Sequence, residues 1–152
     1  MPYFTAVLAR EGRTWTTHDL EVEVAADLVE LTAELRGLVD GDDPVLLLVE
    51  REDAWWAVVR VDGDEDPRVF VSDVVGAAAS PYAELLSVTE EDDDEGDDPE
   101  PGTCGGDLDV LADLGTGPDT LQELCDDEVL PMDALATVAE AAGFAEVLDS
   151  LR

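Results

Sequence analysis

The sequence predicts an α+β protein: an antiparallel sheet with helices packed on one face, followed by a small C-terminal all-α module. Three observations carry this. Short apolar runs of strand length, several alternating with polar residues, recur between turn signals through residues 3–72. One longer stretch, 25–39, instead repeats leucine at three- and four-residue spacing. An acidic stretch then interrupts the chain, and beyond it the apolar spacing is helical throughout. A length of 152 residues suits one domain with a small appendage.

Tyr3 to Arg10 alternates around Phe4, Val7 and Leu8 and reads as a strand. Glu11-Gly12 turns the chain into a return strand, Arg13 to Thr17, whose large residue is Trp15. Ala25 to Val39 reads as an amphipathic helix with Leu28, Leu31, Leu35 and Leu38 on one face and Glu30 and Glu34 on the other. Gly41 is placed to end it. The continuous run Val45 to Val49 fits a strand covered on both faces. Ala54 to Val61 is a further strand. Period two puts Trp55, Ala57, Val59 and Val61 on one face and Trp56, Val58 and Arg60 on the other. Arg68 to Ser72 completes an antiparallel meander, one side of which the leucine face of helix 25–39 would cover. From Asp73 to Val88 the pattern turns helical.

Residues 1–88 thus form the α+β domain, 89–104 an acidic linker and 105–152 the helical module. The linker carries nine carboxylates between Glu90 and Glu100 with no large apolar side chain, so disorder is expected there. In the module, Leu108, Leu111 and Leu114 share a helical face, and Pro118 and Pro131 stand at helix starts. Gly143 ends a helix, and Phe144, Val147, Leu148 and Leu151 form a last one. The module is near the lower size limit for folding alone and is free to dock on the sheet.

Charge narrows the function. Forty acidic residues face seven basic ones, a formal net charge of −33, and −24 remains without the nine linker carboxylates. Such a field repels phosphate backbones and anionic membrane surfaces, leaving basic proteins and cations as partners. Lys, Ile and Asn are absent, as in proteins from genomes of high G+C content. Salt adaptation would also produce an acidic, Lys-poor chain. The N-terminus lacks the basic and apolar regions of a signal peptide. No apolar stretch is long enough to span a bilayer. The expectation is a cytoplasmic protein with reduced thiols.

The strand exit Val69-Phe70-Val71-Ser72-Asp73, the segment Gly106-Asp107-Leu108-Asp109-Val110-Leu111-Ala112-Asp113-Leu114-Gly115 and the ending Ala141-Ala142-Gly143-Phe144-Ala145 follow in a recognisable order around the acidic stretch. In this the chain resembles the actinobacterial tRNA adenosine deaminase-associated proteins over nearly its whole length. The resemblance implies an association with the tRNA-editing deaminase and brings no activity and no functional residues with it. The candidate partner-binding residues are the Trp55–Trp56 pair, of which one ring is expected to be partly exposed, with Asp73, Asp107 and Asp109 from the two shared motifs.

Catalytic and metal chemistry find little footing. A zinc deaminase needs an H-x-E motif and a P-C-x-x-C motif, but His18 precedes Asp19-Leu20 and no cysteine pair exists in sequence. Cys104 and Cys125 lie among carboxylates, which raise a thiol's pKa, and read as inert. Asp62-x-Asp64-x-Asp66 begins like a calcium loop, with Asp73 at its twelfth position, yet Pro67 takes the place of the required glycine. No catalytic, cofactor or metal residue is assigned. The leading reading is a non-enzymatic accessory protein that binds a basic partner, the tRNA adenosine deaminase. The alternatives are an acidic nucleic-acid mimic occupying another basic protein and, more remotely, a hydrolase using paired carboxylates.

Overall fold

The structure, a computed structural model, describes residues 3–11, 14–18, 28–38, 43–51, 54–63, 67–78, 104–125 and 129–151. Five strands appear where the short apolar runs place them: β1 (Tyr3–Glu11), β2 (Thr14–His18), β3 (Pro44–Arg51), β4 (Trp55–Asp62) and β5 (Arg68–Val71). A sixth, β6 (Gly105–Gly106), is too short to leave a periodic signal. Together they make one antiparallel sheet in the order β2-β1-β3-β4-β5-β6. The helices are α1 (Leu28–Arg36), α2 (Val74–Ala78), α3 (Pro118–Leu124), α4 (Pro131–Ala142) and α5 (Ala145–Leu151).

The sheet separates two cores. On one face Val7, Val45, Leu47, Val49, Trp55, Val59 and Val71 meet Leu31 and Leu35 of α1 and Ala77 of α2. This is the leucine face read from the sequence, and Glu30 and Glu34 point to solvent as expected. Arg36, in the last turn of α1, donates from Nε to the Gly63 carbonyl at 2.7 Å and fixes the helix over the β4–β5 turn. Gly76 of α2 comes so close to Trp55 that a Cβ there would stand 2.7 Å from the indole ring.

On the other face Leu8, Leu46, Leu48, Trp56, Val58 and Phe70 pack against Leu111, Leu121, Leu135, Val138 and Phe144 of the C-terminal segment. The C-terminal helices therefore form a third layer. Val45 to Val49 are almost fully buried because both faces of β3 are covered. At the open side of the sheet, the Trp15 Nε1 donates to the Ala142 carbonyl at 3.2 Å, satisfying an acceptor at the end of α4. The same ring meets Phe144 edge-on, with centroids 5.1 Å apart.

Two expectations change. Residues 108–114 do not continue as an α-helix: Val110, Ala112 and Leu114 donate to Asp107, Asp109 and Leu111, each three residues back. The carbonyls of Val110 and Asp109 accept from Arg60 and Arg68 of the sheet, which favours the tighter turn. The Trp pair also differs. Both Trp55 and Trp56 are 1% exposed, because each sheet face has its own helical cover. The acidic stretch 89–103 and the distal part of the helical pattern, 79–88, lie outside the described residues.

Candidate partner-binding surface

The two motifs at the centre of the chain meet in space. Phe70 pairs with Gly106 and Val71 with Gly105, so the strand exit and the Gly-Asp-Leu-Asp segment form one seam at the sheet edge. Gly106 is required there. Its φ is +105°, and a Cβ would collide with the Val69 carbonyl oxygen. The Asp107 N–H then donates to that same carbonyl at 2.9 Å.

Charged groups fasten the seam. Arg68 Nε donates to the Asp107 carboxylate at 2.6 Å, and Arg68 Nη2 to the Asp109 carbonyl at 2.9 Å. The other Asp107 oxygen accepts the Asp109 N–H at 2.9 Å. Burial pushes the Asp107 carboxyl up. The Arg68 hydrogen bond, the Asp109 N–H and the charges of Arg68 and Arg60 outweigh it and hold the carboxyl below its ordinary value. Deeper in, Arg60 is 5% exposed. It is bidentate to Asp113 at 2.5 and 2.8 Å, donates to the Val110 carbonyl at 2.7 Å, and pairs with Asp62 at 2.9 Å. The hydrogen bond from Arg60 lowers the Asp113 carboxyl against a smaller opposing effect of burial. In return the Asp113 bond raises the Arg60 guanidinium, with burial opposing and Asp62 adding to the rise.

The candidate residues therefore divide. Trp55 and Trp56 are enclosed in opposite cores, so a partner resting on this surface would not touch their rings. Asp73 is half-buried and spends one oxygen on the Gly76 N–H at 3.1 Å, at the start of α2. Beside it, the Ser72 hydroxyl accepts the Trp56 N–H at 2.9 Å and closes the strand pair. Asp107 is committed to Arg68, and Asp109 alone of the five is exposed. The Asp62-x-Asp64-x-Asp66 segment is partly outside the described residues, and Asp62 is bound to Arg60. Among the described residues no group of three or more His, Cys, Asp or Glu side chains could hold a metal ion. No helix among them is long and apolar enough to cross a membrane.

What the five candidates omitted is the outer side of the third layer. Residues 104–151 contain twelve Asp and Glu and no Lys, Arg or His. Asp119 and Glu123 on α3, Asp133 and Glu140 on α4, and Glu146 and Asp149 on α5 are all exposed. Helical periodicity dictates this: Leu121, Leu124, Leu135, Val138 and Leu148 take the sheet side, leaving the carboxylates outward. The signal was present in the sequence as a stretch without a cation.

The family model described as Rv3753c-like tRNA adenosine deaminase-associated protein matches residues 3–145. The chain belongs to that family. No curated protein and no solved structure matches it. The family's description places it in association with the tRNA adenosine deaminase, as the resemblance implied. The matched span contains all three motifs. In this member of the family two of them build the β5–β6 seam, and the third supplies Phe144 against Trp15.

Proposed function

We propose that the protein is a non-enzymatic accessory of the tRNA adenosine deaminase and binds it through the carboxylate face of α3, α4 and α5. The observation that carries this reading is the segment 104–151, acidic without a single cation, whose helices expose Asp119, Glu123, Asp133, Glu140, Glu146 and Asp149. An enzyme that handles tRNA presents Arg and Lys to the phosphates. A surface of opposite sign is matched to that basic face and speeds the encounter. The family association supports the choice of the deaminase as that partner. The site of action we propose is the cytoplasm, and the 89–104 segment adds further negative charge to the chain.

Binding of the purified chain to its cognate deaminase by titration calorimetry tests this. Association is expected at low salt and weakens as salt shortens the screening length. Neutralising four carboxylates (Asp119→Asn, Glu123→Gln, Asp133→Asn, Glu140→Gln) is expected to weaken it about tenfold or more. Absence of binding at low salt rejects the proposal. Binding instead to an unrelated basic nucleic-acid-binding protein, with competition by that protein's nucleic acid, would favour the reading as an acidic mimic, which rests on the same face.

A further inference from the structure

Three large hydrophobic side chains are exposed among the described residues: Val29, Leu130 and Met132. One standing alone is ordinary on a protein surface. Leu130 and Met132 stand two positions apart at the start of α4, 49% and 52% exposed, and the core does not use them. Val129 and Pro131 alternate with them and turn inward, followed by buried Ala134 and Leu135. Leu130 precedes the helix in an extended conformation, with φ −73° and ψ 147°, and its carbonyl accepts the Ala134 N–H at 2.9 Å. The main chain under the pair is thus fixed by its neighbours, and little backbone entropy remains to be lost on binding.

Charge decides what can cover this pair. In the sequence Asp126-Asp127-Glu128 precedes it and Asp133 follows. Met132, Ala136 and Glu140 recur every four residues along α4 and share one side, Glu140 lying about 12 Å further along the axis than Met132. Asp133 and Glu140 are both exposed. Apolar side chains set among carboxylates repel anionic membranes and nucleic acids, and a second copy of the chain would bring like charges together. A cationic protein surface meets no such penalty.

We propose that Leu130 and Met132 are the apolar anchor of the interface with the deaminase and enter a recess edged by its Arg and Lys side chains. The inference rests on the reading of the acidic helices as the deaminase-binding face, and it names the residues that hold the complex once it has formed. Protein interfaces combine an apolar centre, in which Met is enriched, with a polar rim. The carboxylates guide the approach and set its salt dependence. The covered apolar pair sets how slowly the complex parts.

Association and dissociation rates of the whole chain with its cognate deaminase, followed by biolayer interferometry at low and moderate salt, test this. The double variant Leu130→Ser, Met132→Gln retains the fold, since Ser is a favoured helix cap and Gln a good helix former, and thermal unfolding verifies it. Its dissociation is expected to be faster by about tenfold or more. Its association rate and the salt dependence of that rate stay within about twofold of the unaltered chain. Val29→Gln, on α1, changes neither rate. Binding by the unaltered chain with a dissociation rate that the double variant leaves unchanged overturns the inference and leaves the charge-based reading standing. So does an equal effect of Val29→Gln, or a dimer of the free chain that the double variant abolishes. No binding by the unaltered chain at low salt rejects the charge-based reading and the anchor with it.

Discussion

Arg60 lies 5% exposed beneath the C-terminal layer, whereas its partner Asp113 is 62% exposed. The two ends of this pair are therefore not equivalent. Arg60→Ala removes the bidentate pair and the bond to the Val110 carbonyl, and leaves the 15%-exposed Asp62 without its cation. The expected cost is about 2–3 kcal/mol. Asp113→Ala leaves Arg60 paired with Asp62 and removes a carboxylate that water already solvates in part, for about 1 kcal/mol. Urea denaturation orders the two; equal midpoints would show that the seam does not depend on the buried cation. Asp107 and Asp113 also set an acid response. Both carboxyls are lowered in the folded chain, so their contribution is complete above the ordinary carboxylate value and is lost as pH falls through the folded values. The Asp107→Asn, Asp113→Asn double variant is expected to lose stability less steeply below about pH 4. An unchanged acid slope contradicts that assignment.

At the scale of elements, β6 is the smallest strand and the one that joins the two parts of the chain. Its Gly106 has a positive φ and no room for a Cβ. Gly106→Ala is therefore expected to cost about 2–3 kcal/mol. Amide exchange near Phe70 and Val71 should rise with it. Exchange unchanged at these amides would show that β6 is dispensable. Most elements were legible because their signal is local. The alternation in β1 and β4 and the leucine spacing in α1 need only neighbouring residues. A strand of two glycines has no such period. The 108–114 turn misled for a related reason: its leucines suit a helix, but Arg60 and Arg68, from distant strands, take two of its carbonyls.

For the whole molecule, the three-layer arrangement makes residues 1–88 and the C-terminal helices interdependent. Without the latter, Leu8, Leu46, Leu48, Trp56, Val58 and Phe70 would face water. A chain ending at residue 88 is expected to aggregate or to lack cooperative unfolding. A monomeric fragment with a sharp thermal transition would refute this. The net charge of −33 adds self-repulsion across the fold. Added sodium chloride should thus raise the unfolding temperature at neutral pH, by screening, and lowering the pH from 7 toward 5 should act in the same direction. Insensitivity to both would mean that the carboxylates are already compensated.

The residues alone determined strands β1 to β5 and α1, the face on which each β4 side chain lies, and the acidic excess. Each follows from neighbours a few positions apart or from a simple count. Tertiary structure decided the rest. It covered the second sheet face and so buried both Trp55 and Trp56. It spent Arg60 and Arg68 on the seam, leaving the outer helices acidic. It packed Cys104 and Cys125, from distant parts of the chain, against the same core. These depend on which distant segments pack together. The pairing is specified by the shape and charge of surfaces that exist only once the sheet has formed, so no local pattern in the chain announces it.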